Sequence, residues 1–225
     1  MADGGRLTVA DEASGEPLLE FLEVMRRLRA ECAWKSGQTH RSLARYLLEE
    51  THETLEAIDT GDRTGDWAHL REELGDLLLQ VYFHAVIAEE TGEFTIDDVA
   101  ADITAKMHRR NPHVFADAAG GTPSEINEAW EAIKATEKQR GSVTDGIPPT
   151  LPALLYADKV LDRLARAGGD PSTGSAGQRV DSSPPAGANL GERLLALVAE
   201  ARATGVDPEQ ALRDAVRQLL GTQTA

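Results

Sequence analysis

Cysteine is nearly absent: Cys32 stands alone in 225 residues, so no intrachain disulfide can form, which suits a reducing compartment. Aromatic residues make up only 4% of the chain, and runs of β-branched residues are missing, which removes the usual material of strands. No apolar run approaches the ~20 residues that a membrane-spanning helix needs. The opening Met-Ala-Asp-Gly-Gly-Arg lacks the basic-then-apolar pattern of a signal peptide. Positive charge is also scarce, 23 Lys and Arg against 38 Asp and Glu, giving a formal net charge of −15. Such a field opposes nucleic acid and anionic membranes but leaves room for a small phosphorylated ligand held by local cations or a metal. No Gly-rich loop ends in Gly-Lys-Ser/Thr, so a P-loop is excluded. The expectation is a soluble, cytoplasmic protein with no nucleic-acid or membrane partner.

What the chain has in quantity is Ala, Leu, Glu and Arg, a composition that favours helix. The fold class expected is therefore all-α. Residues 1–16 are small and polar and read as a tail. From Pro17 an apolar stripe of Leu18, Leu22, Met25 and Leu28 marks a helix. Glu31 to His40 reads as a loop, with Ser42 as cap of the next helix. That helix is expected over Leu43–Asp59, with Leu43, Leu47, Glu50, Thr54 and Ile58 inward. A second is expected over Trp67–Glu90, with Leu70, Leu74, Leu77, Leu78, Val81 and Ala85 inward. Further helices follow from Thr95 or Asp97 to Asn111, from the Thr122–Glu125 capping box to Arg140, and over Leu151–Ala167. Residues 168–188 are Gly, Ser, Pro and Asp with almost no large apolar residue, which reads as a linker. Two helices close the chain, near 190–204 and 208–220.

The two helices between Leu47 and Asp76 carry a symmetric set of carboxylates. Glu50 with Asp76, and Glu53 with Glu73, are each equidistant from Arg63 in the polar stretch Thr60–Asp66. In an antiparallel helical hairpin such positions share a height, and residues three apart share a face. Glu50 and Glu73 also interrupt apolar stripes, where a lone ionised carboxylate costs several kcal/mol unless it is paired or metal-bound. Four converging hard oxygen donors suit Mg²⁺ or Mn²⁺.

Downstream lies a cationic group, Lys106, Arg109 and Arg110, followed by Asn111-Pro112-His113. At a helix C-terminus it satisfies the helix dipole, and it also has the makings of a phosphate clamp. Trp130 and Lys134, four apart, form a third group. An acidic quartet with a basic clamp describes metal-assisted hydrolysis of a phosphate ester or anhydride. A di-iron carboxylate bundle would need two Glu-x-x-His pairs, and only Glu49 with His52 supplies one. A non-catalytic helical dimerisation module leaves the mirrored carboxylates without a purpose.

The tail repeats the second hairpin helix in altered form. Glu73-Leu74-Gly75-Asp76-Leu77-Leu78-Leu79 aligns with Asn189-Leu190-Gly191-Glu192-Arg193-Leu194-Leu195, and Thr95–Asp102 with Asp207–Asp214. The apolar frame is kept while Glu73 becomes Asn189, Asp76 becomes Glu192 and Lys106 becomes Gln218. The tail reads as the remnant of a second domain that packs without catalysing.

With these residues in place, the chain resembles the MazG family of nucleoside triphosphate pyrophosphohydrolases. The resemblance rests on Cys32-Ala33-Trp34 with Gln38-Thr39-His40, Leu48-Glu49-Glu50 with Glu53, and Glu73-Leu74-Gly75-Asp76-Leu77-Leu78. It continues through Lys106 with Arg109-Arg110-Asn111-Pro112-His113-Val114-Phe115, and Trp130-Glu131 with Ile133-Lys134, covering residues 17–167 in order. It implies a four-helix-bundle type of fold, a homodimer, and Mg²⁺-dependent cleavage of a nucleoside triphosphate to the monophosphate and pyrophosphate. The implied metal ligands are Glu50, Glu53, Glu73 and Asp76. The implied nucleotide-holding residues are Lys106, Arg109, Arg110, Asn111, Trp130 and Lys134. Glu49 is the candidate for activating water, with Glu72 or a ligand's free oxygen as alternatives. Ala33 stands where the family has Pro, Lys35 where it has an acid, and Asn111 where His is common. The domain expectation is a catalytic helical domain over 17–141, a connecting turn and helix over 142–167, the linker, and the remnant over 189–225.

Overall fold

A computed structural model describes residues 15–116, 120–137, 142–166 and 187–221. Every regular element among them is a helix: α1 Glu16–Glu31, α2 Ala33–Ser36, α3 His40–Thr64, α4 Ala68–Glu90, α5 Ile96–Arg110, α6 Pro112–Phe115, α7 Pro123–Thr136, α8 Ala153–Arg166, α9 Leu190–Ala203 and α10 Pro208–Gly221. No described helix is long and apolar enough to cross a membrane. The chain divides into two compact units at Trp130, inside α7. Most of the expected tail and the expected linker lie outside the described residues.

In the first unit α4 is central, packing against α3, α1 and α5. Leu22 and Met25 of α1, Leu43 of α3, and Tyr82, Phe83, Val86 and Ile87 of α4 form its buried core. This core occupies the C-terminal half of α4, and full burial of a side chain such as Met25 or Phe83 contributes roughly 2–3 kcal/mol. The carboxylates lie on the other half, toward the hairpin turn.

Helix α3 differs from its expected bounds at both ends. Its N-cap is Thr39, not Ser42: the Thr39 hydroxyl accepts from the Ser42 amide at 3.2 Å, and the Ser42 hydroxyl accepts from the Thr39 amide at 2.9 Å. Serine thus plays the returning role that Glu usually fills. At the other end the helix runs through the polar stretch to Thr64 and stops at Gly65, whose φ of 75° favours glycine. The turn is Gly65–Trp67, three residues past the expected centre. The register nevertheless stays close to the one expected, because packing and not the turn sets it. The Thr54 hydroxyl, bonded to the Glu50 carbonyl at 2.8 Å, lies 3.5 Å from the Glu73 carbonyl. Nearer the turn, the Trp67 ring lies flush on buried Gly61, where any Cβ would collide with it.

The apolar stripes also need correction. Leu43 and Thr54 are buried as expected, but Leu47 and Ile58 are about 40% exposed, and Ala57 and Gly61 take the inner positions. On α4, Leu74 and Val81 are exposed while Glu73 and Gln80 are buried. The loop expected between Glu31 and His40 contains the single turn α2. In the second unit α8 packs against α9 and α10, and Arg202 of α9 joins Asp158 and Asp162 of α8 at 2.7 and 3.0 Å.

Candidate functional site: a carboxylate cluster on the α3–α4 hairpin

Helix α3 presents Glu50 beside Thr54, and α4 presents Glu73 and Asp76 from the facing side. One carboxylate oxygen from each of Glu50, Glu73 and Asp76 lies within 4.8 Å of the other two. Glu53 is exposed and outside this triplet, though its charge is among those that act on Glu50. Three of the four carboxylates of the sequence pattern, Glu50, Glu73 and Asp76, therefore gather at one end of the hairpin.

Their electrostatics are those of mutually repelling, partly buried carboxylates. Burial, then the charges of Asp76 and Glu53, push the Glu50 carboxyl above its ordinary range. Glu73 is 7% exposed. One of its oxygens meets His69 Nε2 at 2.8 Å, while Oε2 is buried without a hydrogen-bond partner. A buried carboxylate oxygen with no donor is costly unless something positive meets it. Hard, clustered, partly desolvated oxygens fit a small divalent ion. His69 is a site residue beyond those expected from sequence; its signal is the i, i+4 spacing to Glu73, which lets the imidazole steady one carboxylate oxygen. Glu49 is exposed, on the residue before Glu50.

The cationic group lies on α5 and just beyond it. Lys106 and Arg110 are half-buried and Arg109 is exposed. The Arg110 guanidinium sits 5.4 Å from the centre of the Trp130 ring, a cation–π contact, so Trp130 partners Arg110 rather than standing only beside Lys134. The Asn111 amide donates to the Met107 carbonyl at 2.8 Å and closes the end of α5. Lys134, in the second unit, pairs with Glu131 at 3.0 Å.

The counterpart positions in the tail are organised differently. Asn189 and Glu192, which align with Glu73 and Asp76, form the reciprocal cap of α9: Asn189 Oδ1 accepts from the Glu192 amide at 3.0 Å, and a Glu192 oxygen accepts from the Asn189 amide at 2.9 Å. Their polar atoms serve the helix start.

Comparison with known proteins places this geometry in a family. Residues 38–115, which hold α3, α4, α5 and α6, match the MazG nucleotide pyrophosphohydrolase domain. The chain is 42% identical to an uncharacterised 26.1 kDa protein of Streptomyces cacaoi, over 96% of this chain and 88% of that one. It is 47% identical to the nucleoside triphosphate pyrophosphohydrolase of Mycobacterium tuberculosis, over 75% of this chain and 51% of that one. It is 37% identical to the nucleoside triphosphate pyrophosphohydrolase/pyrophosphatase MazG of Thermotoga maritima, over 89% and 82%. The chain thus spans about half the length of the mycobacterial relative and most of the other two. On the strength of these matches, with the acidic hairpin inside the matched stretch, the chain belongs to the MazG family.

Proposed function

We propose that this protein hydrolyses nucleoside triphosphates to the monophosphate and pyrophosphate, with Mg²⁺, or Mn²⁺ in its place, held by Glu50, Glu53, Glu73 and Asp76. The observation that carries the reading is the convergence of Glu50, Glu73 and Asp76 within 4.8 Å, inside the family-matched stretch. The relatives from Mycobacterium tuberculosis and Thermotoga maritima, named for this activity, support it.

An ion held by these carboxylates would supply Lewis-acid polarisation of phosphate oxygens and neutralise their charge. The remaining work falls to the chain. Glu73, fixed by His69, presents its free oxygen in a set direction, and Glu50 and Asp76 meet it from two helices. Glu49, exposed next to the cluster, accepts the proton of the attacking water. Lys106, Arg109 and Arg110 bind phosphate oxygens and absorb charge on the departing pyrophosphate. Trp130 orients Arg110, Asn111 shapes the end of α5, and Lys134 is retained as a nucleotide-holding residue from the sequence pattern.

We read the protein as a cytoplasmic homodimer. Leu47 with Ile58 on α3, and Leu74 with Val81 on α4, lie on two helical lines of exposed apolar surface, which a second copy would cover. The segment over 189–225 is read as the remnant of a second domain; the conversion of Asn189 and Glu192 to a helix cap supports this. The substrate range extends to non-standard or damaged nucleotides as a pool-cleaning activity.

The test is a panel of ordinary, deaminated and oxidised NTPs and dNTPs with Mg²⁺, Mn²⁺ or chelator. Products are scored as pyrophosphate or orthophosphate, and mass by analytical ultracentrifugation. Metal-dependent pyrophosphate release is expected. Orthophosphate as the first product defeats the pyrophosphohydrolase reading.

A further inference from the structure

Glu73 is a member of the carboxylate cluster whose two oxygens stand in unlike states. The residue is 7% exposed. Its Oε1 accepts a hydrogen bond from His69 Nε2 at 2.8 Å, while Oε2 is buried without a hydrogen-bond partner. One oxygen is committed to a nitrogen donor and the other is open. Hydrolysis by itself does not require this difference.

The difference follows from local geometry. His69 is the second residue of α4, and Glu73 lies one turn later on the same face. Side chains on a helix lean toward its N-terminus, so Glu73 leans back onto the imidazole. The contact lies within one helix and is independent of how α4 packs on its neighbours. It needs only a proton on Nε2, which the charged imidazole and one neutral tautomer both carry. The His69 side chain is itself 52% exposed, so it adds little to the core, and what it does to Oε1 is its main effect.

The number of open oxygens on a carboxylate bears on which ion suits it. Ca²⁺ takes six to eight oxygens at about 2.3–2.6 Å and commonly grips both oxygens of one carboxylate. Mg²⁺ takes six at about 2.0–2.1 Å in a near-ideal octahedron. The two oxygens of one carboxylate are too close together to span an edge of that octahedron. A buried carboxylate that offers a single oxygen therefore withholds a place from Ca²⁺ and withholds nothing from Mg²⁺.

We propose that His69 is a positioning residue that biases the carboxylate cluster toward Mg²⁺ and against Ca²⁺: by holding Oε1 of Glu73 it leaves Oε2 alone to meet an ion and bars the two-oxygen grip. This rests on the metal-dependent reading above and adds to it a residue that sets which ion the cluster accepts.

The test compares full-length wild type with His69→Ala and with His69→Gln, whose amide N–H restores a donor to Oε1. Each protein is loaded with Mn²⁺, and bound Mn²⁺ is followed by electron paramagnetic resonance while Mg²⁺ or Ca²⁺ displaces it. Thermal midpoints without metal confirm that each variant folds. His69→Ala is expected to shift the ratio of Mg²⁺ to Ca²⁺ affinity toward Ca²⁺ by about tenfold, the size of change that a residue behind a ligand produces. His69→Gln is expected to keep the wild-type ratio. If His69→Ala does not fold, His69→Leu, which fills more of the space and also lacks a donor, takes its place with the same expectation. A ratio unchanged in the donorless variant, an equal loss of both ions, or a His69→Gln ratio that follows the donorless one overturns the proposal and leaves the pyrophosphohydrolase reading intact. A wild type that binds none of the three ions overturns the metal-dependent reading as well.

Discussion

Arg29 of α1 and Glu90 of α4 form a forked ion pair, Nε to Oε1 at 2.7 Å and Nη2 to Oε2 at 2.5 Å. The third guanidinium nitrogen donates to the carbonyls of Lys35, Ser36 and Gln38. One side chain, only 9% exposed, therefore ties the ends of α1 and α4 to the end of α2 and the loop that follows it. The Arg29 hydrogen bond holds the Glu90 carboxyl below its ordinary value of 4.5. A carboxylate depressed in the folded state stabilises the fold above its unfolded value, and that contribution is lost as pH falls through the folded value. Glu90→Gln should therefore lower stability at neutral pH, modestly because the pair is partly solvated. The deficit relative to wild type should close as pH drops well below 4.5, as read by urea unfolding at several pH values.

Gly61 and Trp67 should behave as one unit. An alanine in place of a helical glycine ordinarily gains up to about 1 kcal/mol. Here the methyl would enter the Trp67 ring, so Gly61→Ala should destabilise by about 1–3 kcal/mol. Trp67→Ala should also destabilise, and the double variant should fall well short of the sum. Additive losses in a denaturation cycle would show that the ring does not sit where described.

Glu50 should show a trade between stability and metal binding. Its carboxyl is raised by burial and by Asp76 and Glu53, so its ionised form opposes folding of the metal-free protein. Glu50→Gln should therefore be more stable than wild type at neutral pH without metal, an advantage that fades as pH falls toward 4.5. Under Mg²⁺ at about a hundred times its dissociation constant, wild type should gain about 2.7 kcal/mol and the variant far less. Thermal melts with and without Mg²⁺ separate these effects.

At the start of α3, Thr39→Ala removes the acceptor for the Ser42 amide and should cost about 1 kcal/mol. Ser42→Ala leaves the Thr39 amide without its returning partner and should cost somewhat less. Equilibrium unfolding of the two single variants checks the order.

The positions of helices were largely written in the sequence, because periodic apolar residues and Thr or Asn caps act locally. The Thr122–Glu125 box is present, with the Glu125 amide 3.3 Å from the Thr122 hydroxyl. Inward faces were less legible. Leu74 and Val81 belong to the apolar period but lie exposed, while Glu73 and Gln80 are buried, since which side of α4 meets α3 and α1 depends on tertiary packing that no local pattern encodes. The approach of Glu50 to Glu73 and Asp76 was legible through the symmetry of their positions, whereas Glu53 lies outside the triplet and the turn lies three residues beyond Arg63. His69 on Glu73, Arg110 on Trp130 and the His40–His84 pair are not legible in the local pattern. The last two join residues distant in sequence, and the first looked like an ordinary surface pair.

The contact between Gly61 and Trp67 has a practical corollary for protein engineering. Since the Trp67 ring on Gly61 and Thr54 beside the Glu73 carbonyl tie α3 to α4, Gly65 and Asp66 at the tip of the hairpin are relieved of that duty. New chain termini or a grafted reporter peptide placed at Gly65–Asp66 should leave the carboxylates in step, so the hairpin can be opened at its tip and still be closed at its waist.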